Sequence, residues 1–264
     1  MDSPGSRFAG KREYVHDIFE RIAPYYDRMN LLMSWGLLKR WQRAVLAEAR
    51  LPAAARVLDV CTGTGELALM LAENARPDAE VIGLDMSEAM LEVARRKADK
   101  WGEKGKNKGK NKSNNKRNNK EAGISFVAGD ALQLPFADES FDCVTMGFAL
   151  RNVTDISRAV SEMCRVCKKG GRVVCLEISE PGNSLWRAGF CLYFYRLIPL
   201  FGRFIDNGRR MSGKIPAYTW LAQSLKGFPQ AEEIRRVFNE AGLAGVCCNP
   251  LHGGIVSVYR GVRQ

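Results

Sequence analysis

Histidine is scarce. His16 and His252 are the only two in 264 residues, which leaves little for a histidine-built metal centre. Cysteine is plentiful, but Cys164-x-x-Cys167 has no second pair, and no metal or redox centre is expected from it. The eight cysteines (Cys61, Cys143, Cys164, Cys167, Cys175, Cys191, Cys247, Cys248) mostly sit in apolar runs. No basic-then-apolar leader opens the chain, so they read as reduced core thiols of a cytoplasmic protein. No apolar run reaches the roughly 18 residues of a membrane-spanning helix. Acid is missing from one stretch. Residues 104–120, KGKNKGKNKSNNKRNNK, hold eight Lys or Arg and no Asp or Glu, which leaves only +3 of the net +11 for the remainder. The basic balance therefore belongs to a low-complexity insert, and a nucleic-acid partner is not expected. Such a run buries too little to offset its ordering entropy and is expected to be a disordered loop. The competing reading is a weak tether to anionic lipid or RNA.

The G-x-G-x-x-G fingerprint of nicotinamide sites is also missing. In its place stands Val57-Leu58-Asp59-Val60-Cys61-Thr62-Gly63-Thr64-Gly65, followed by Glu66-Leu67-Ala68-Leu69-Met70-Leu71-Ala72. An apolar strand ends in a tight turn of small residues and resumes as a helix. Glu66 at the helix start disfavours a pyrophosphate there. A sulfonium cofactor is compatible with nearby acids, which points to S-adenosylmethionine. The next apolar run, Val81-Ile82-Gly83-Leu84-Asp85, ends in an acid suited to ribose hydroxyls. The cofactor set is thus Asp59, Gly63, Thr64 and Asp85, with Asp130 and Ala131 facing the adenine.

The periodicity predicts helices within 11–50, interrupted at Pro24 and resuming at Leu37–Ala49. Alternating units follow: strand 56–60, helix 65–75, strand 80–85, helix 87–100. Strands are expected at Ile124–Ala128, Cys143–Met146 and Arg172–Ile178, with a helix over Asp155–Val166. A helix at 230–242 and a late strand near Ile255–Tyr259 complete the pattern. Strand–helix alternation implies a parallel, doubly wound α/β sheet with ligands at its carboxyl ends. The aromatic-rich stretch Leu185–Phe204 reads either as a core helix broken at Pro199 or as the mouth for a lipid tail at a membrane surface.

Four segments together resemble the ubiquinone/menaquinone-biosynthesis C-methyltransferase family. They are Tyr26-Asp27-Arg28-Met29-Asn30-Leu31-Leu32-Met33-Ser34 with Trp41, Gly147-Phe148-Ala149-Leu150-Arg151-Asn152-Val153, Arg165-Val166-Cys167-Lys168-Lys169-Gly170-Gly171 leading to Leu176-Glu177-Ile178-Ser179, and Gly253-Gly254-Ile255-Val256. Leu38 stands where the family has a histidine, and Cys61 where class I methyltransferases usually have their first glycine. The match spans nearly the whole chain outside 104–120. Arg12-Glu13-Tyr14-Val15-His16 and Tyr193-Phe194-Tyr195-Arg196 look closer to the demethylmenaquinone branch.

The resemblance implies a class I S-adenosylmethionine-dependent methyltransferase fold, Rossmann-like, with a mostly parallel seven-stranded sheet. It implies a single domain, with an N-terminal helical cap at 11–50 and a substrate-side lid at 185–220. It further implies C-methylation of a prenylated quinol, on the inner face of the cell membrane. Arg151 would stabilise the phenolate, Asn152 would orient a quinol oxygen, and Tyr26 and Asp27 would close over the site. The plainer alternatives are an Arg151–Asp155 ion pair, core packing for Tyr26 and a helix cap for Asp27. Other readings are a dual quinone enzyme, a methyltransferase of another phenol or lipid, an inactive scaffold of a quinone-synthesis complex, and an RNA methyltransferase. The intact cofactor loop disfavours the scaffold, and the remainder's +3 disfavours RNA. A homodimer is left open.

Overall fold

Val57 and Leu58 are adjacent yet pack on opposite faces of one sheet, as strand alternation requires. The computed structural model describes residues 10–109, 123–200 and 217–264. Among these, α1 (Lys11–Ile22), a 3-10 turn (Ala23–Tyr25), α2 (Tyr26–Met33) and α3 (Leu38–Ala49) precede the alternating region. That region contains β1 (Arg56–Val60), α4 (Glu66–Asn74), β2 (Glu80–Asp85), α5 (Glu88–Gly109), β3 (Gly123–Ala128), β4 (Phe141–Gly147), α6 (Ile156–Val166) and β5 (Cys167–Ile178). Then come α7 (Ser184–Leu192), α8 (Ala217–Leu225), α9 (Ala231–Glu240), β6 (Leu243–Leu251) and β7 (Val256–Arg263). The strands form one sheet in the order β3-β2-β1-β4-β5-β7-β6, and β7 alone runs opposite to the other six.

Each face of the sheet carries its own core. Val45 of α3 and Leu71 of α4 pack on the Val57 side, while Met163 of α6 and Phe238 of α9 pack on the Leu58 side. A third cluster lies off the sheet, where Met29 of α2 meets Phe190, Phe194 and Ile198, and Ala222 and Leu225 of α8.

Four expectations need correction. Helix α5 continues to Gly109, into the first part of the basic insert; residues 110–120 lie outside the described residues. Strand β5 starts at Cys167 rather than Arg172, and a register shift against β4 absorbs the Lys-Lys-Gly-Gly turn. Strand β6 was not visible as a separate strand. Pro250 and Gly245 obscure its pattern, and β7 supplies the pairing that makes it a strand. The helix after Leu192 also does not break at Pro199. It winds as a π-turn over Tyr193–Leu197, the Ile198 N–H donates to Tyr193 O, and the helix runs on to Leu200. Proline has no N–H to give, and the wider turn takes up the mismatch just before it. The rest of the expected lid, 201–216, lies outside the described residues.

Candidate active site

The sheet's strand order reverses between β1 and β4, and ligands bind at the carboxyl ends beside such a point. The loop after β1 lies there. Gly63 and Gly65 adopt left-handed φ of +55° and +77°. A Cβ on Gly65 would stand 2.9 Å from that of Ala94, so the close α4–α5 approach needs glycine. Cys61 also has a left-handed φ, +55°, the conformation that suits the glycine its place resembles.

Asp85 ends β2. Its carboxylate accepts from Gly63 N–H at 2.8 Å and from Ser87 N–H at 2.9 Å, which ties β2 to the loop. Burial pushes its pKa up, and the backbone donors partly oppose that. Asp59 is buried, with one oxygen accepting from Thr62 and the other from Thr145, both at 2.7 Å. Burial raises its pKa to about 6 against those two hydroxyls. Asp130 accepts from Leu132 N–H at 2.9 Å and pairs with Arg12 of α1 at 2.8 Å. Gly63, Asp85, Asp130 and Ala131, four of the residues the sequence assigns to the cofactor, line one cleft. Asp59 and Thr64 line a smaller cavity just past Gly63.

The cap is strapped over this cleft. Lys11 Nζ donates to the carbonyls of Val153 (2.8 Å) and Arg151 (3.3 Å). Glu20 accepts from Ser87 Oγ at 2.7 Å. Asp27 accepts from Thr64 Oγ1 at 2.5 Å and pairs with Lys97, also at 2.5 Å. Asp27 is therefore neither a cap nor a wall of the cavities. It fastens α2 to the cofactor loop.

Beyond the cap lies an apolar cavity of about 490 Å³. Its walls include Met33, Trp41, Trp186, Phe190 and Phe194. Tyr26 and Phe148 line both this cavity and the cofactor cleft, so they form the partition between the two. Phe148 holds a φ of +58°, costly for a bulky residue and a mark of a constrained site. Burial raises the Tyr26 phenol's pKa, so it stays protonated at neutral pH and acts as a donor.

Arg151 is buried and lines the apolar cavity. It pairs through Nη1 with buried Glu177, not with Asp155, and Nη1 also donates to Phe148 O at 2.8 Å. Asp155 instead caps α6, accepting from Arg158 N–H at 2.8 Å. The Arg151 Nε has no partner among the described residues. Asn152 faces the cofactor cleft, where its amide oxygen accepts from Trp220 Nε1 at 3.3 Å. It does not line the apolar cavity. Sequence reasoning assigned no role to Glu177, Phe148, Lys97 or Arg12. Only Glu177 left a signal, as an acid inside the apolar run of β5.

S-adenosylmethionine fits these residues. Asp85, at the end of β2, would receive ribose hydroxyls, glycines allow close backbone approach, and Asp59 and Asp85 would suit a sulfonium nearby. The buried Oε1 of Gln42, on the small cavity past Gly63, has no partner among the described residues. The model of the ubiE/COQ5 methyltransferase family matches residues 8–263. The chain belongs to that family. The demethylmenaquinone methyltransferase of Staphylococcus saprophyticus is 37% identical over 96% of this chain and 97% of its own. Enzymes of the same name from Staphylococcus aureus and Symbiobacterium thermophilum are 38% and 37% identical, each over 96% of this chain and 94% of theirs. A methyltransferase structure from Thermotoga maritima matches with TM-score 0.61 at 22% identity, covering 95% of this chain and all of that one. One from Methanococcus maripaludis gives 0.59 at 17%, covering 93% of each. These two bear on the fold, which is that of S-adenosylmethionine-dependent methyltransferases. The chain is such a methyltransferase, and its cofactor is S-adenosylmethionine.

Proposed function

We propose that this methyltransferase C-methylates demethylmenaquinol to menaquinol. The observation that carries the reading is the apolar cavity joined to the cofactor cleft at Tyr26 and Phe148, a shape suited to a flat quinol ring with an apolar tail. The bound cofactor supplies an electrophilic methyl group. The protein's own part is orientation, exclusion of water and handling of the quinol's charge. Phe148 and Tyr26 hold the ring edge-on to the cleft. Arg151, a permanent cation on the cavity wall, stabilises a phenolate oxygen. Its pairing with Glu177 fixes the guanidinium and tempers its charge. Labelled cofactor assayed against demethylmenaquinol and a demethylated benzoquinol tests this. Transfer to the naphthoquinol alone supports the menaquinone reading, transfer to both makes the enzyme dual, and transfer to neither sinks it.

The same reading puts the enzyme on a membrane surface, because its substrate's tail is lipid. Among the described residues, no helix is long and apolar enough to cross a membrane. Around the cavity, however, Trp35 is 77% exposed, Leu185 82% and Trp186 63%, with Leu31 and Leu32 exposed alongside. Trp35 sits at the α2–α3 turn with a left-handed φ of +51°. Residues 28–43 and 184–200 hold six Lys or Arg and no acid; with the insert's eight set aside, the rest of the chain is left at −3. An apolar rim set among cations matches an anionic bilayer better than a second protein copy. Leu31→Asp with Leu32→Asp should weaken binding to phosphatidylglycerol vesicles yet spare turnover of a tailless naphthoquinol. Unchanged vesicle binding, or loss of a dimer instead, would refute the membrane face.

A further inference from the structure

Helix α3 places Gln42 next to Trp41, whose Nε1 donates to His252 Nδ1 at 3.0 Å and holds the helix against the β6–β7 turn. Gln42 is 5% exposed, and its Oε1 has no donor among the described residues. A carbonyl shut away from water without a partner is costly and uncommon in native proteins. It persists most readily where a ligand supplies the missing donor. Gln42 lines the small cavity past Gly63, with Asn30 from α2 and Asp59, Thr62, Gly63 and Gly147 from the sheet end. This cavity shares Tyr26, Cys61, Gly63, Gly147 and Phe148 with the cofactor cleft and so extends it. Asp85 and Asp130 stand in the cleft, where the adenosine end is read. The extension is left for the amino-acid end. That end carries an ammonium, a donor in search of acceptors. Asp59 and Glu66 are the acids lining the extension; both oxygens of Asp59 already accept, from Thr62 and Thr145, and Glu66 pairs with Lys97 at 2.7 Å.

We propose that Gln42 Oε1 accepts a hydrogen bond from the α-ammonium of the cofactor's amino-acid end. The inference rests on the methyltransferase reading but not on the identity of the quinol. The cap then reads the cofactor directly, and α3 is held more firmly once the cofactor is bound. The proposal explains why a polar residue sits at a buried position of α3 between Trp41 and Val45, where an apolar one would pack without penalty.

Calorimetry on the full chain, without quinol, tests it with two ligands. S-adenosylhomocysteine carries the amino-acid end, and 5′-methylthioadenosine lacks it. In Gln42→Leu, affinity for S-adenosylhomocysteine should fall roughly tenfold or more, the loss expected for one hydrogen bond to a charged group, while affinity for methylthioadenosine stays unchanged. Gln42→Glu should keep or tighten S-adenosylhomocysteine binding, and Gln42→Lys should weaken it. Equal losses for both ligands would mean a merely structural role and overturn the proposal. So would unchanged binding in Gln42→Leu, or a Lys variant that binds better than the Glu variant, which would put the carboxylate there instead. Because none of these titrations contains a quinol, they stand or fall independently of the substrate reading.

Discussion

The sheet's carboxyl end and the helical cap above it are held by different forces. At the sheet end, side chains are fixed by close packing and by short polar contacts within and between neighbouring segments, as Asp59 of β1 is by Thr62 of the following loop and Thr145 of β4. The cap has little shared core with the sheet in α1 and α2. It is fastened by polar straps to the loops of the candidate cofactor cleft: Arg12 to Asp130, Glu20 to Ser87, Asp27 to Thr64. Candidate cofactor residues thus double as cap anchors. Disturbing the sheet end should cost stability, and disturbing the straps should cost binding and cap order.

The largest effect should come from the sheet end. Glu177→Ala leaves the Arg151 guanidinium buried without its counter-charge, and removing one partner of a buried pair costs about 3–5 kcal/mol. Chemical denaturation should record that loss. A change of under about 1 kcal/mol would mean that Arg151 finds water or swings out, and that the pair is not a fixed part of the site.

Next is the pH dependence from Asp59. Its folded pKa of about 6 lies above the unfolded value, so the folded state holds the proton more tightly. The stability this contributes is complete below the unfolded pKa and is lost as pH rises through about 6. Asp59→Asn should remove that slope and stabilise the protein more at about pH 8 than at about pH 5, by roughly 1.5 kcal/mol. Glu162 works in the opposite sense. Its pKa is lowered, mainly by the hydrogen bond from Arg165, so its contribution is present above its unfolded pKa and lost on acidification. Denaturation midpoints of wild type and variant across that range check the sign.

On the binding side, Asp85→Ala should lower cofactor affinity by about 1.5–3 kcal/mol, the range for a hydrogen bond to a charged group. The variant also frees the Gly63 N–H, so the loop should loosen. Calorimetry that gives wild-type affinity in a folded variant would remove Asp85 from the site.

What was legible in the sequence follows the same division. The β1 loop, Asp85 and Asp130 could be found because strand, turn and helix are contiguous in the chain and their periodicities change abruptly. The cap's contacts could not. Thr64 and Asp27 lie 37 residues apart, and Arg151 and Glu177 lie 26 apart. No local pattern tells which acid a buried arginine will meet, so Asp155, four residues from Arg151 and in fact a helix cap, was the natural but wrong partner. Asp27 belongs to a specific motif, but its strap to Thr64 could not be read from that motif. Strand β6 was hidden for a related reason. Its pattern is weak alone, and only pairing with β7 makes it a strand.

The smallest effect concerns Cys61, a residue with a Cβ in a left-handed turn that suits glycine. Its left-handed φ of +55° costs a residue with a Cβ about 1 kcal/mol relative to glycine. Cys61→Gly removes that strain, but it also frees the unfolded chain and removes a half-buried thiol from the cleft wall. The opposing terms are of similar size, so the net change in stability should stay within about 1 kcal/mol of zero. Binding should separate them. If the strain serves to shape the loop for the cofactor, the glycine variant keeps its stability and loses affinity for S-adenosylhomocysteine. If it is simply tolerated, affinity stays and the variant melts at or slightly above the wild-type temperature. The second result is expected, because Gly63 and Gly65 hold the same left-handed turn without a side chain, and the bond from Gly63 N–H to Asp85 fixes the loop whichever residue occupies position 61.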